Sequence, residues 1–581
     1  MARKLPFTLQ KDQSFFESLS DWIGDTLYDE LPEKGFDLRD EQVFMAFQIE
    51  QALKDKKVLF AEAGVGTGKT IAYLLPAISY ARYTGRPALI SCADETLIDQ
   101  LVKEDGDIQK MSDALQLNID VRLAKSRDQY LCLKRLEYAS DVEGEEFADA
   151  IEEELPSFVY GMDSLQKVYP YGERSSFPEL SDDQWQKINY NQVQQCGSCD
   201  VRNVCGQTLH RQAYRESTDL IICSHDFYME HVWTKESRKR QELLPLLPEL
   251  SMIVFDEGHL LEYSAQRALT YEVQSETLIR LLEKIMVEGV REVTLEKMDE
   301  LIELHALFFD ELEDYVTPTD GDRFHLEKAP HLKKIAKKCI ALSHSILEEL
   351  VFDGEMYVIP AYDLRMVEEY LEQYIFSMTL FTEDEEAVDW VEEREGDWTI
   401  VIMPRLVTDI LREQLFNQQL PIIFSSATLS VEKDFSYIQY SLGISEALKF
   451  SVESPFDYDE VMQIKEYVTA DKKEQVLSIM RNYEQTLVLF KSKQSMLSFK
   501  EQLTESEKEL FAFEGDRELS AIVEDFSLGI DQAIASYNLW EGLDLPEHRL
   551  TQVILYDLPL PPNDPLFEAR KAHAEDPFDE V

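Results

Sequence analysis

FAEAGVGTGKTIAYLLP, residues Phe60 to Pro76, decides how this chain is read. An apolar, strand-like run ends at Ala63, Gly68-Lys69-Thr70 follows after four residues, and a helix-like apolar stretch comes next. Small residues let backbone N–H groups curl around a polyphosphate, and the positive end of a helix opening there favours an anion. In such a cradle Ala63, Gly64, Val65, Gly66, Thr67 and Gly68 wrap the phosphates. Lys69 would reach the β- and γ-phosphates and Thr70 would hold Mg²⁺, so a nucleoside triphosphate with Mg²⁺ is the expected ligand.

A phosphate cradle of this kind needs a second, carboxylate-bearing strand to hold the metal and position the attacking water. MIVFDEGH, from Met252, supplies it: Asp256 for the Mg²⁺ shell, Glu257 to polarise the water, and His259 to couple the site to the neighbouring domain. Other short runs rich in Val, Ile and Leu suit strands buried on both faces of a parallel sheet: ALIS from Ala88, DLIIC from Asp219, PIIFSS from Pro421, TLVLF from Thr486, AIAS from Ala533 and QVILY from Gln552. The expectation is an α/β protein with two sheets, one before and one after about residue 432. Two stretches break the rhythm. Residues 106 to 210 carry eight acids without a Lys or Arg between Asp141 and Glu154 and then a cysteine cluster, which reads as an insertion. Residues 261 to 400 are Glu- and Leu-rich with helical spacing, and their acids read as a solvated face.

With 581 residues, 44% apolar and 29% charged, the chain is neither disordered nor a disulfide miniprotein. Lys plus Arg number 57 against 113 Asp plus Glu, a net charge of −56 that repels a polyanion at long range. Any nucleic acid must be held in a local basic channel. Residues 121 to 135 offer Arg122, Lys125, Arg127, Lys134 and Arg135 against Asp128, with Tyr130 among them. Cations on phosphates and a ring against bases suit single-stranded DNA; a basic surface balancing the acidic run is the other reading. Seven cysteines are too few for a disulfide framework and fit a reducing compartment. No signal-peptide core and no run of about 18 apolar residues is present, so a soluble cytoplasmic protein without membrane contact is expected. Cys132 and Cys196-x2-Cys199-x5-Cys205 are four thiolates able to hold a soft metal centre, and spacing alone leaves zinc and [4Fe-4S] both open. Cys92, Cys223 and Cys339 read as small core residues.

In this order, the segments resemble the DinG/XPD branch of the DEAH-type superfamily 2 DNA helicases, from about Phe36 to the last residue. The resemblance implies two RecA-like parallel-sheet motor domains, the second incomplete, with an iron-sulfur insertion and a helical arch insertion. It divides the chain into a first motor domain (1–105, 211–260 and 401–431), the iron-sulfur insertion (106–210), the arch (261–400) and the second motor domain (432–581). Phe36, Arg39 and Gln42 stand where the family reads adenine, which narrows the expected triphosphate to ATP. ISCADETLIDQL from Ile90 looks like a DNA-backbone motif with Cys92 in place of the usual Thr, and DEGH stands where DEAH is usual. SSATLS from Ser425 resembles the motif linking hydrolysis to strand movement; ESPFDY from Glu453 and TLVLFKS from Thr486 match the start of the second motor domain. SYNLWEGLDLPE, with Trp540, Glu541, Gly542 and Asp544, resembles a motif that binds DNA backbone and faces the nucleotide. On the same grounds [4Fe-4S] is favoured over zinc for Cys132, Cys196, Cys199 and Cys205.

One departure stands out. The family's Gln-x2-Gly-Arg-x2-Arg motif, whose arginines reach the γ-phosphate, does not follow DLPLPPNDPLFEAR. The expectation is a fragment of an active helicase; the rival is a non-catalytic, ATP-gated nucleic-acid-binding protein, with an RNA helicase as a further alternative. About 35 residues precede Phe36, so no nuclease domain is expected. By resemblance the protein is a monomer that moves 5′-to-3′ on single-stranded or forked DNA in repair or replication-associated processing.

Overall fold

Val58–Ala63 is buried at every position and forms strand β1, the arrangement a central strand of a parallel sheet requires. The computed structural model describes residues 4–573 apart from 10, 38, 94, 104–105, 162–166, 192–195, 197–198, 241–243, 269, 320–322, 357, 384–386, 395–396, 405–406, 469–470, 482–484, 541–542, 544, 546–549, 559 and 561–564. After β1 come β2 (Ala88–Cys92), β3 (Val121–Ala124), β4 (Leu220–Ser224) and β5 (Ile253–Asp256). Next are β6 (Tyr271–Gln274), β7 (Val316–Thr317), β8 (His325–Leu326), β9 (Ala387–Arg394) and β10 (Asp397–Pro404). β11 (Ile422–Ser426), β12 (Ala447–Val452), β13 (Thr486–Leu489), β14 (Phe511–Phe513), β15 (Ala533–Ser536) and β16 (Val553–Leu555) complete the set.

The first sheet has the order β12-β1-β11-β5-β2-β4-β3, with every pairing parallel. Val58 lies opposite Ile422, and Ser425 opposite Asp256. The carboxyl ends of β1, β11 and β5 therefore stand side by side, the edge where open α/β sheets bind their ligands. The Lys69–Thr84 helix is buried throughout from Ile71 to Ala81, as a helix apolar all round must be. A second parallel sheet runs β14-β15-β13-β16. Between β5 and β11, both strands of the first sheet, four helices (Thr277–Ile285, Glu292–Leu312, Pro330–Glu355 and Ala361–Thr382) share one apolar core with the antiparallel sheet β6-β10-β9.

Three expected boundaries move. β3 lies inside the stretch read as an insertion from residue 106, yet it pairs with β4 at the edge of the first sheet. β10 carries residues 401–404, assigned to the first motor domain, into the antiparallel sheet of the helical insertion, which is thus not purely helical. β12 pairs with β1, so the first sheet extends past residue 432 to Val452. β3 and β12 are partly exposed edge strands, so neither has the continuous apolar run by which buried strands are recognised. Cys92, Cys223 and Cys339 are fully buried core residues, as expected. Among the described residues no helix is long and apolar enough to cross a membrane.

Contacts between the parts include two backbone hydrogen bonds and one apolar seat. Asp182 N–H donates to the Gly515 carbonyl at 3.1 Å and Glu518 N–H to the Pro178 carbonyl at 3.2 Å, binding the cysteine-bearing insertion to the second sheet. Leu566, on the Pro565–His573 helix, packs with Val388, Trp390, Val401 and Met403 on the sheet of the helical insertion.

Candidate nucleotide and metal site

The loop after β1 is held by its carbonyls. Gln42 Nε2 donates to the Gly68 carbonyl at 2.8 Å, Arg39 Nη1 to that of Gly66, Ser454 Oγ to that of Val65 at 2.7 Å and Thr67 Oγ1 to that of Gly64 at 2.9 Å. Gly64 N–H and Thr67 N–H are spent on the Val452 and Gly64 carbonyls, so the anion-favouring end is the opening of the helix at Lys69. Gly68 has φ +77°, which favours glycine, and a Cβ there would lie 2.2 Å from Gln42 Nε2 and push that amide off the loop. Of the three residues expected at adenine, Arg39 and Gln42 thus grip the phosphate loop, and Phe36 packs half-buried on the first core.

β5 delivers the acids. The fully buried Tyr73 donates its O–H to Asp256 Oδ2 at 2.9 Å and also meets the Thr70 side chain, so Thr70 and Asp256 share one hydroxyl neighbour. Burial, then the adjacent Glu257 charge, pushes the Asp256 carboxyl up to about 6. A buried carboxylate short of positive charge beside a threonine hydroxyl suits a hard divalent cation such as Mg²⁺. Glu257 has φ +52°, a left-handed backbone that costs a non-glycine residue about 1–3 kcal/mol and persists only where its surroundings fix it. They do so here. Ser426 Oγ donates to Glu257 Oε2 at 2.7 Å, Lys69 Nζ lies 3.6 Å from Oε1, and the Glu257 carbonyl accepts from Leu260 N–H at 3.1 Å. That carbonyl is also 3.3 Å from His225 Nε2, and His225 Nδ1 is 2.7 Å from Ser91 Oγ at the end of β2. Burial pushes the His225 imidazole down to about 3, so the ring is neutral, donating from Nε2 and accepting from Ser91.

His259, expected to reach the neighbouring domain, instead meets β11 of its own sheet: Nδ1 is 3.0 Å from Ser426 Oγ and 3.6 Å from Glu257 Oε2. Gly258 stands where alanine is usual because a Cβ there would lie 2.8 Å from the Phe424 ring. Sequence reasoning passed over Glu62. It accepts from Leu429 N–H at 2.9 Å, Ser430 N–H at 2.8 Å, Ser430 Oγ at 2.7 Å and Ser451 Oγ at 2.8 Å. Burial alone would raise its carboxyl, but these hydrogen bonds outweigh it and hold the group below its ordinary value. The available signal was one acid inside an otherwise apolar strand. Glu514 does the same after β14, accepting from Ser536 Oγ at 2.6 Å and Tyr537 N–H at 3.0 Å. Trp540 Nε1 donates to the Phe490 carbonyl at 3.0 Å; Glu541, Gly542 and Asp544 lie outside the described residues.

The raised Asp256 carboxyl has a measurable consequence. Its folded value lies above the ordinary 3.8, so its ionisation leaves the fold unaffected below that pH and weakens it as pH rises through about 6. In chelator-treated protein Asp256→Asn should therefore stabilise the first sheet at pH 7.5, by on the order of 2–3 kcal/mol, and confer little at pH 4. Thermal melts at the two pH values measure the difference; equal or lower stability of the variant at pH 7.5 would contradict it.

Cys132 and Cys205 each precede a helix, Leu133–Asp141 and Gly206–Arg215, and their sulfurs accept N–H groups of the first turn. Burial pushes the Cys132 thiol up to about 12 and Cys205 up to about 11; Cys132 and Cys205 each feel the Cys196 charge, and Cys199 feels it too. Four soft donors, three of them (Cys132, Cys199 and Cys205) with backbone N–H support, have the chemistry of a thiolate metal site. Among the described residues, however, no three His, Cys, Asp or Glu side chains close into a metal-ligating group.

The basic stretch beside them is partly committed to protein partners, though Arg122, Arg127, Lys134 and Arg135 stay partly exposed. Arg122 pairs with Asp120 at 2.8 Å. Arg127 pairs with Glu230 and lies over the Tyr190 ring, and Lys125 is buried. Tyr130, expected to stack on bases, is 2% exposed and packs against His210, so it offers no open ring face. These charges were counted in sequence without their partners, Asp120 and Glu230.

Residues 475–580 match the Helicase C-terminal domain family. Over its whole length the chain is 49% identical to the probable ATP-dependent helicase YpvA of Bacillus subtilis (strain 168), covering 91% of that protein. It is 26% identical to the ATP-dependent DNA helicase YoaA of Escherichia coli (strain K12), over 94% of this chain and 87% of that one. The solved structure named XPD_Helicase aligns with 92% of this chain and 87% of its own at 14% identity and a TM-score of 0.49. With this degree of identity to YpvA along its full length, the chain belongs to the DinG/XPD-type superfamily 2 helicases and is an ATP-hydrolysing helicase.

Proposed function

We propose that this helicase translocates 5′-to-3′ on single-stranded DNA and opens forked DNA in repair or replication-associated processing. The observation that supports the ATP-driven motor in this reading is the adjacency of β1, β11 and β5, which sets the phosphate loop, the SSATLS turn and the Asp256-Glu257 pair at one sheet edge; polarity and substrate follow from the family resemblance. Lys69 and the loop N–H groups hold the triphosphate; Thr70 and Asp256 hold Mg²⁺, which supplies charge neutralisation at the phosphates. Glu257 orients the attacking water and takes its proton. Ser426, bonded to Glu257 and lying 3.0 Å from His259, ties that carboxylate to the turn whose far end Glu62 fixes, so movement of the turn alters the angle of Glu257.

Cys132, Cys196, Cys199 and Cys205 hold a [4Fe-4S] cluster in this reading, and the cluster supplies a rigid inorganic cross-link within the insertion. Protein purified anaerobically should contain about four irons per chain with visible absorption, both lost in Cys199→Ser. Stoichiometric zinc without iron would overturn the assignment.

The test of function is ATP turnover with and without single-stranded DNA, followed by unwinding of forks bearing only a 5′ or only a 3′ tail. DNA-stimulated turnover and preference for the 5′ tail are expected. Nucleotide-dependent binding without turnover would point instead to an ATP-gated clamp, and stronger stimulation by RNA would replace the substrate.

A further inference from the structure

Acids outnumber bases two to one in this chain, yet between Lys328 and Leu347 there are five lysines and no acid. Four of them, Lys333, Lys334, Lys337 and Lys338, fall within six residues of the Pro330–Glu355 helix. At 100° per residue they share one side of it, and Lys334, Lys337 and Lys338 are exposed. The arrangement works against the helix. Lys334 and Lys338 are like charges one turn apart, Lys333 repeats the conflict with Lys337, and Lys333 stands in a first turn without an acid, where the helix dipole favours one.

Other cations of the same insertion are neutralised: Lys284 pairs with Asp363 at 2.9 Å, Arg291 with Asp353 at 2.9 Å and Lys297 with Glu349 at 2.8 Å. Among the described residues Lys334, Lys337 and Lys338 pair with no carboxylate. The opposite side of the helix (Leu332, Ile335, Ala336 and Cys339) is buried in the core, so the lysine side is fixed outward. Moreover, the stretch expected from sequence to bind DNA has Arg122 and Arg127 in ion pairs and Lys125 buried, whereas Lys334, Lys337 and Lys338 are exposed together on one helix face.

We propose that Lys334, Lys337 and Lys338 form a phosphodiester-binding face on the helical insertion, which holds the nucleic acid strand away from the motor cleft. The proposal rests on the helicase reading of the chain and adds a contact surface to it. Each ammonium displaces a counterion from a phosphate, and affinity through this face falls as salt rises.

The test compares the full chain with Lys334→Gln/Lys337→Gln/Lys338→Gln and with a charge-matched control, Lys54→Gln/Lys56→Gln/Lys57→Gln, at the opposite end of β1. Fluorescence anisotropy with a labelled single-stranded 30-mer and a duplex of the same sequence is measured across a salt series. Three lost phosphate contacts lower the single-strand slope of log K against log salt by about 2 and the affinity by about tenfold or more at low salt, with the duplex arm showing whether paired strands use the same face. ATP turnover without nucleic acid should match the parent, and the control should bind like the parent. An unchanged slope and affinity in the helix variant overturns the proposal while leaving the motor reading intact. Equal losses in variant and control reduce it to net charge and overturn it, as does equally effective displacement by polyglutamate. A parent chain that binds neither oligonucleotide overturns this proposal together with the DNA-motor reading.

Discussion

Lys69→Ala should lower ATP turnover by at least about 10²–10³-fold without unfolding the chain, because the side chain contributes charge to the site rather than packing to the core. Lys69 lies at the first position of the buried helix, with its ammonium 3.6 Å from Glu257 and 15% exposed. Every core residue of that helix lies further along, from Ile71 onward. A γ-phosphate would compete with Glu257 for the Lys69 ammonium, and a shift of that cation towards the phosphates would free the carboxylate for water. Steady-state turnover with a matched circular-dichroism melt measures the effect. Parent-like hydrolysis by the variant would falsify the assignment of the loop.

Glu257→Gln should separate binding from chemistry. The amide can still accept from Ser426 Oγ and needs the same left-handed backbone, so the local structure should persist. It cannot take a proton from water. Turnover should fall by about 10²–10⁴-fold, with the affinity for ATP changed no more than a few-fold, read by single-turnover hydrolysis beside equilibrium binding of a labelled nucleotide. A rise in KM at unchanged kcat would move Glu257 from chemistry to substrate binding.

What was legible in the sequence followed burial. β1, β2, β4 and β11 are buried at every residue and β5 at all but its last, and each shows as an apolar run ending in polar or small residues, broken only by Glu62 in β1. β3 and β12 are edge strands, and their half-polar sequences match loop or helix as well as strand. The same holds for the site. Gly68, Lys69, Asp256 and Glu257 lie in short local patterns, whereas Glu62 takes its partners from residues 429 to 451 and His225 bridges Ser91 to Glu257. No local window contains such pairs. Charge reads differently once partners are placed: Arg122 pairs with Asp120 just before the basic stretch, Arg127 with the distant Glu230, and the lysine row after Pro330 lies in a region read as acidic.

The Pro565–His573 helix carries a mechanical consequence. It follows the second sheet in the chain, yet Leu566 is seated on the strands β9 and β10 of the helical insertion. Any rotation of the second sheet against the first must either drag that insertion along or peel this helix from its seat. The helix thus works as a tow-line, turning a swing between two engines into a pull on a distant boom.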